Sequence, residues 1–216
     1  MSVKEFYEKM HGYKSSSQPK PLLYTSILKH TIGRFEVNGY DLTYQALPGG
    51  NSILDIRYGE DLTLMSLWYR YREVYGIDIS NPMIDHMQKQ FGDDPSIHLN
   101  IQDVNSRLNF KNASFDTIIT VTVLKHIFDL YHLVKESYKL LKTRSQLIVH
   151  VPNVALLGNR IRFLIRSLLV TSSEESWDGG YLHYFTRGSL KRLSMDNGFG
   201  IMKTISGRIF ARLDRP

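Results

Sequence analysis

Cysteine is missing from all 216 residues, which excludes disulfide frameworks, thiolate nucleophiles and cysteine-ligated zinc or iron–sulfur clusters in one step. Long uncharged apolar runs are missing too, so no segment reads as a membrane-spanning helix. The first residues, MSVKEFYEKMHGYKSSSQPK, are charged throughout and lack the continuous apolar core of a secretory signal. The last two of these absences point to a soluble, cytoplasmic protein, whereas the lack of cysteine says little about compartment. Repeats and low-complexity tracts are absent beyond KSSSQPK at 14–20, which reads as a hinge after a first amphipathic arm. No basic block stands out either: the formal charge is +6 and the isoelectric point about 9.4, but the lysines and arginines are dispersed. That pattern fits a solvated basic surface, with no specific nucleic-acid partner and at most weak contact with an anionic membrane surface.

With 42% hydrophobic residues, the chain is long enough for one full α/β core. From Asn51 onward, short β-rich runs alternate with longer helical patterns, the signature of a parallel sheet covered by helices. Strands are expected at 52–56, 73–77, 97–101, 115–121 and 146–151. Helical spacing of apolar residues covers 62–71, 82–91 and 128–142. Pro82, following Ser80 or Asn81 as cap, suits a first helical turn. Beyond 151 an arginine-bearing amphipathic helix occupies 156–170. A further helix at 188–197 stops at Gly198, and two β-like runs close the chain. The expected fold is a doubly wound, mostly parallel, seven-stranded Rossmann-like sheet with a helical cap inserted after strand five. Its parts are an N-terminal helical arm at 1–43, an α/β core at 44–155, a cap at 156–186, and a helix and strands at 187–216 that complete the sheet.

Ligands of such sheets bind at the carboxyl ends of the strands, where the winding reverses. Strand one ends in ILDIRYGED, with Asp55 followed by Arg57, Tyr58, Gly59, Glu60 and Asp61. Strand two ends in GIDIS, placing Asp78 about 20 residues past the first turn, where a carboxylate can accept two ribose hydroxyls. Asp103 in IQDV follows strand three, and FDTIITVTVLKHI carries strand four and its turn. Singly, Asp55 and Asp103 could be turn caps, and Asp78 could cap the next helix. Four polar strand ends in register are more specific than any one of them.

Over 44–199 the chain resembles the class I S-adenosylmethionine-dependent methyltransferases, in the small-molecule branch. Its members read LDhGCGxG, GhDhS, an aspartate after strand three, and FDhIhxxxVLEHh. HVPN at 150–153 and GGYLHYFTRGSLKRLSMDNGF at 179–199 continue the likeness more weakly. The resemblance implies S-adenosylmethionine as cofactor, held by residues at each strand end. Asp55 would lie near the methionine end, in the loop whose second glycine is matched by Gly59. Asp78 would bind the ribose and Ile79 would pack on the adenine. Asp103 would accept the adenine amino group beside Val104, and Thr120 and Val121 would border the cofactor. Arg57 and Asp61 replace the first and third loop glycines, where the backbone passes close to the methionine moiety. Either Arg57 pairs with the cofactor carboxylate while Asp61 caps a helix or receives the ammonium, or the two pair with each other and fill the space. Lys125 replaces a usual glutamate and reverses a charge at the mouth.

Methyl transfer is an in-line displacement driven mainly by orientation, helped by a general base when the acceptor must lose a proton. His126, directly after strand four, is the first candidate base, ahead of His183 and His150, and Tyr181 or Tyr184 could line the acceptor pocket. The 156–170 helix is expected to cover that pocket, with Trp177 as an aromatic wall or ordinary core. The leading expectation is methyl transfer to a small-molecule or glycan-type acceptor. The alternative is a methyltransferase-like scaffold or partner protein that has lost the cofactor. RNA methylation would rest on net charge alone, and dinucleotide oxidoreduction lacks a G-x-G-x-x-G turn.

Overall fold

A computed structural model of the chain describes residues 43, 46–56, 70–164, 181–205 and 209–215. Strands β1 (Gly50–Ile56) and β2 (Tyr71–Asp78) lead to helix α1 (Asn81–Phe91) and strand β3 (Ile97–Ile101). Strand β4 (Phe115–Val121) runs into a 3-10 turn at Leu124–His126, then α2 (Leu130–Leu140) and β5 (Leu141–Val151). Helices α3 (Leu157–Leu164) and α4 (Arg187–Asp196) precede β6 (Gly200–Ile205) and β7 (Ile209–Asp214).

All seven strands join one sheet in the order β3-β2-β1-β4-β5-β7-β6. Pairings among β1 to β5 are parallel, and β7 runs antiparallel to both its neighbours. The chain winds outward from β1 through β2 to β3, then returns to lay β4 on the other side of β1. The reversal lies between β1 and β4, which makes their carboxyl ends the natural crevice.

Strand alternation sends successive side chains to opposite faces. Leu54, Ile56, Ile118 and Leu147 bury one face against Leu133 and Val134 of α2 and Leu190 and Leu193 of α4. Ile53, Val74, Ile119 and Ile148 bury the other against Ile84 and Met87 of α1. Each face is buried, so the strands read as near-continuous apolar runs. At the amino end, Asp116 accepts from the Asn51 and Ser52 backbone amides at 2.9 Å and from Lys142 at 2.7 Å, pinning the starts of β1, β4 and β5 together.

Three expected boundaries differ most. Tyr71, expected to end a helix, opens β2, while 62–69 of that helix lie outside the described residues. Helix α2 is shorter than 128–142: Asp129 caps its start by accepting from the His132 amide at 2.9 Å, and Leu141 already pairs with Phe115. Strand β5 begins five residues before the expected 146, because its register with β4 shifts between Phe115 and Thr117, with Arg144 at φ 63°. A bulge of this kind interrupts the alternation a sequence reading relies on. Helix α3 is described as far as Leu164, which is 82% exposed although it belongs to the helix's apolar stripe. The N-terminal arm, apart from residue 43, lies outside the described residues. Among the described residues, no helix is long and apolar enough to cross a membrane.

Candidate functional site

The first three strands deliver three carboxylates to the carboxyl edge. Asp55 and Asp78 point to the same face of the sheet as Ile53 and Val74, on adjacent strands where Asp55 is in register with Gly76. Both are almost completely buried, at 1% and 2% exposure. Burial, reinforced by the neighbouring charge of Asp78, pushes the Asp55 carboxyl up to about 8. The Asp55 Oδ2 atom has no hydrogen-bond partner among the described residues. Asp78 accepts from the Ser80 amide at 2.9 Å, the turn geometry that orders the start of α1, while its backbone carbonyl accepts from the Gln102 amide at 2.9 Å. Ile79, half-buried, follows it.

Asp103 closes the third strand. Its Oδ1 accepts from the Asn105 amide and side chain, both at 2.9 Å. Asn105 in turn accepts from the Phe128 amide at 3.1 Å, which ties the loop after β3 to the turn after β4. The capping readings of Asp78 and Asp103 are therefore realised, each through one carboxylate oxygen. Val104 is buried against the core beside Asp103, and Thr120 is buried at the end of β4 with Val121 half-buried after it. Unpartnered buried polar atoms gather at this edge: Asp55 Oδ2, Ser80 Oγ, Asn81 Oδ1 and Thr120 Oγ1. Each such atom costs about 1–3 kcal/mol if left unmet. A polar, cationic ligand laid across β1, β2 and β4 meets these requirements, so the residues present fit a nucleoside cofactor bearing a positive charge.

The turn after β4 is strained and then clamped. Thr122 adopts φ 59°, an outlier for a β-branched residue, and its amide donates to the His150 carbonyl at 2.8 Å. Strain at the end of a strand next to the crevice is a mark of function that only coordinates reveal. The Lys125 carbonyl accepts from the Leu182 and His183 amides at 2.8 and 3.2 Å, and the His183 ring Nε2 lies 2.7 Å from the Ile127 carbonyl. Because a carbonyl can only accept, that bond places the proton on Nε2. Lys125 Nζ lies 3.9 Å over the Tyr181 ring, which also meets His126 edge-on at 5.7 Å and neighbours Tyr184 at 6.1 Å. Phe185 continues the strap by bridging to Asn153 and accepting from the Val154 amide at 3.0 Å, at the end of β5. His126, His183, Tyr181 and Tyr184 are thus brought together, as expected. His150 is not among them, being 1% exposed within β5.

A methyltransferase-domain profile matches residues 54–149, from the heart of β1 to β5. Over those residues the chain resembles the S-adenosylmethionine-dependent methyltransferases. No protein of curated function matches the sequence. Among solved structures, this chain is similar to a methyltransferase from Haloferax volcanii in complex with the Trm112 methyltransferase activator, at a TM-score of 0.68 and 12% identity over 82% of this chain and 88% of that one. A Pyrococcus horikoshii protein gives 0.67 and 17% identity over 95% and 98% of the two chains. A SAM-dependent methyltransferase from Methanosarcina mazei gives 0.61 and 21% identity over 81% and 95%. The loop residues Arg57, Gly59 and Asp61 of this chain lie outside the described residues, as does Trp177. Lys125, which reverses a charge relative to the family pattern, directs its ammonium onto the Tyr181 ring of the strap.

Proposed function

We propose that the protein binds S-adenosylmethionine across the ends of β1 to β4 and transfers its methyl group to a small-molecule or glycan-type acceptor held under the 181–185 strap. The observation that carries this reading is the buried Asp55–Asp78 pair. Two carboxylates packed together with an unmet oxygen favour a positively charged ligand, since opposite charge offsets both their repulsion and their burial. The cofactor supplies an electrophilic methyl group. Asp78 would take the ribose hydroxyls and Asp103 the adenine amino group, each already accepting from a loop amide through Oδ1. Asp55 answers the charge at the methionine end.

The acceptor side is built from the turn after β4. His126, half-buried and next to Tyr181, is the group that takes a proton from an acceptor hydroxyl or carboxyl. His183 donates from Nε2 to the Ile127 carbonyl, which holds the strap in place and leaves its Nδ1 lone pair as the second candidate base. Tyr181 and Tyr184 orient the acceptor.

Replacing Asp78 tests the cofactor assignment. Asp78→Asn should weaken S-adenosylhomocysteine binding by about 10- to 100-fold, the range for losing hydrogen bonds to a charged group. Asp116→Asn, at the opposite end of the sheet, should leave it within a factor of two or so. Equal effects from both would remove Asp78 from the site.

A further inference from the structure

The amino end of the sheet carries a cleft of about 660 Å³, bounded by the start of β1, Asp116 of β4, the first residues of β5 and Arg215 beyond β7. That volume is in the range of small-molecule sites. The length of β1, about 20 Å at strand rise, separates the cleft from the carboxyl-edge crevice. Three cationic side chains line it, Lys142, Arg144 and Arg215, against the single carboxylate of Asp116. Asp116 is already engaged, accepting from Lys142 at 2.7 Å and from the Asn51 and Ser52 amides at 2.9 Å. The Arg215 guanidinium donates to the Lys139 and Leu141 carbonyls and lies 4.7 Å over the Tyr138 ring, contacts that fix it without neutralising it. Arg144 is exposed, and among the described residues its side chain has no partner. Two positive charges at the cleft are thus uncompensated.

Arg144 also sits where an arginine is unexpected. Its φ of 63° is the left-handed region that favours glycine or asparagine. The turn is held from the end of β7: the Arg144 amide donates to the Arg215 carbonyl and the Arg215 amide to the Ser145 carbonyl, both at 2.8 Å. Glycine would satisfy this backbone at lower cost, so what the position gains is the guanidinium. Thr143 and Ser145, on either side of it, line the same cleft and bring hydroxyls. We infer that the cleft binds a small phosphate monoester, its phosphate held by Arg144 and Arg215 with the neighbouring hydroxyls as further donors. A phosphate monoester carries roughly −1.5 to −2 charge near neutral pH, which matches the two uncompensated cations, and a guanidinium fork suits its oxygens. A single carboxylate would leave one cation unmet. The volume leaves room for an organic body beyond the phosphate. This site stands apart from the methyl-transfer reading and does not depend on it.

Titration of the isotope-labelled full chain with ribose 5-phosphate, inorganic phosphate and ribose at constant ionic strength, read from amide shifts in two-dimensional NMR, tests the inference. Ribose 5-phosphate should shift the amides of residues 142–146 saturably, inorganic phosphate should do so several-fold more weakly, and ribose should leave them in place. Arg144→Gly should weaken ribose 5-phosphate binding by about tenfold or more. The same variant should keep or slightly raise the native thermal midpoint, because the backbone there suits glycine. Shifts that never saturate, shifts confined to other residues, or equal affinity in the native chain and the variant would each overturn the inference. Equal affinity for ribose 5-phosphate and inorganic phosphate would overturn the ester and assign the cleft to the free ion.

Discussion

A carboxyl group buried as deeply as Asp55, with Asp78 beside it, holds its proton well into the neutral range. Its folded-state value of about 8 lies above the ordinary 3.8, so its contribution to stability is complete below about pH 4. That contribution is lost as pH rises through about 8. Urea unfolding of the cofactor-free protein at several pH values should therefore show stability falling between these limits, with an Asp55 component of at most about 1.4 kcal/mol per pH unit. Asp55→Asn should remove that component and be the more stable protein at alkaline pH. Parallel native and variant profiles would show that Asp55 ionises freely. The residue's candidacy as a site group was readable from ILDIRYGED taken together with the polar ends of the next strands, since Asp55 alone could equally be a turn cap. Its protonation was not readable: that depends first on complete burial in the folded sheet and then on Asp78, contributed by the next strand and 23 positions away in sequence. The strain at Thr122 was equally hidden, since a threonine at the end of a β-rich run looks like ordinary strand.

Among the elements, the strands and helices that bury one regular face were legible, and the irregular joints were not. Runs such as FDTIITV declare themselves through β-branched and apolar content, whereas the bulge near Arg144 depends on the match between β4 and β5. The strap was placed by family likeness alone. Its hydrogen bonds join residues 56 apart in sequence, and periodicity carries no trace of such contacts. The end of α4 is a case where local chemistry did suffice. Gly198 adopts φ 88°, and a Cβ there would stand 3.2 Å from the Tyr138 ring. Gly198→Ala should thus cost about 1–2 kcal/mol in urea denaturation, from backbone strain and crowding together. Gly188→Ala, inside the same helix with its nearest neighbour at 3.8 Å, should be neutral or slightly stabilising. Equal costs at the two glycines would contradict this account of the helix stop.

The whole molecule combines a methyltransferase-like sheet architecture with a loop sequence that departs from the glycine pattern of that family. Strand order, the carboxylates at three successive strand ends, and the strap across the ends of β4 and β5 all serve one crevice. Arg57 and Asp61, which follow β1 in sequence, interrupt the glycine pattern of the family that the chain resembles. The positive net charge of +6 leaves the binding of a cationic cofactor to local carboxylates rather than to the overall field. Calorimetric titration with S-adenosylmethionine and S-adenosylhomocysteine, on the native chain and on the Arg57→Gly, Asp61→Gly double variant, tests the central claim directly. The account predicts saturable one-to-one binding by the native chain in the micromolar range. No heat from the native chain, with binding restored in the double variant, would contradict it and leave a methyltransferase scaffold that has lost its cofactor.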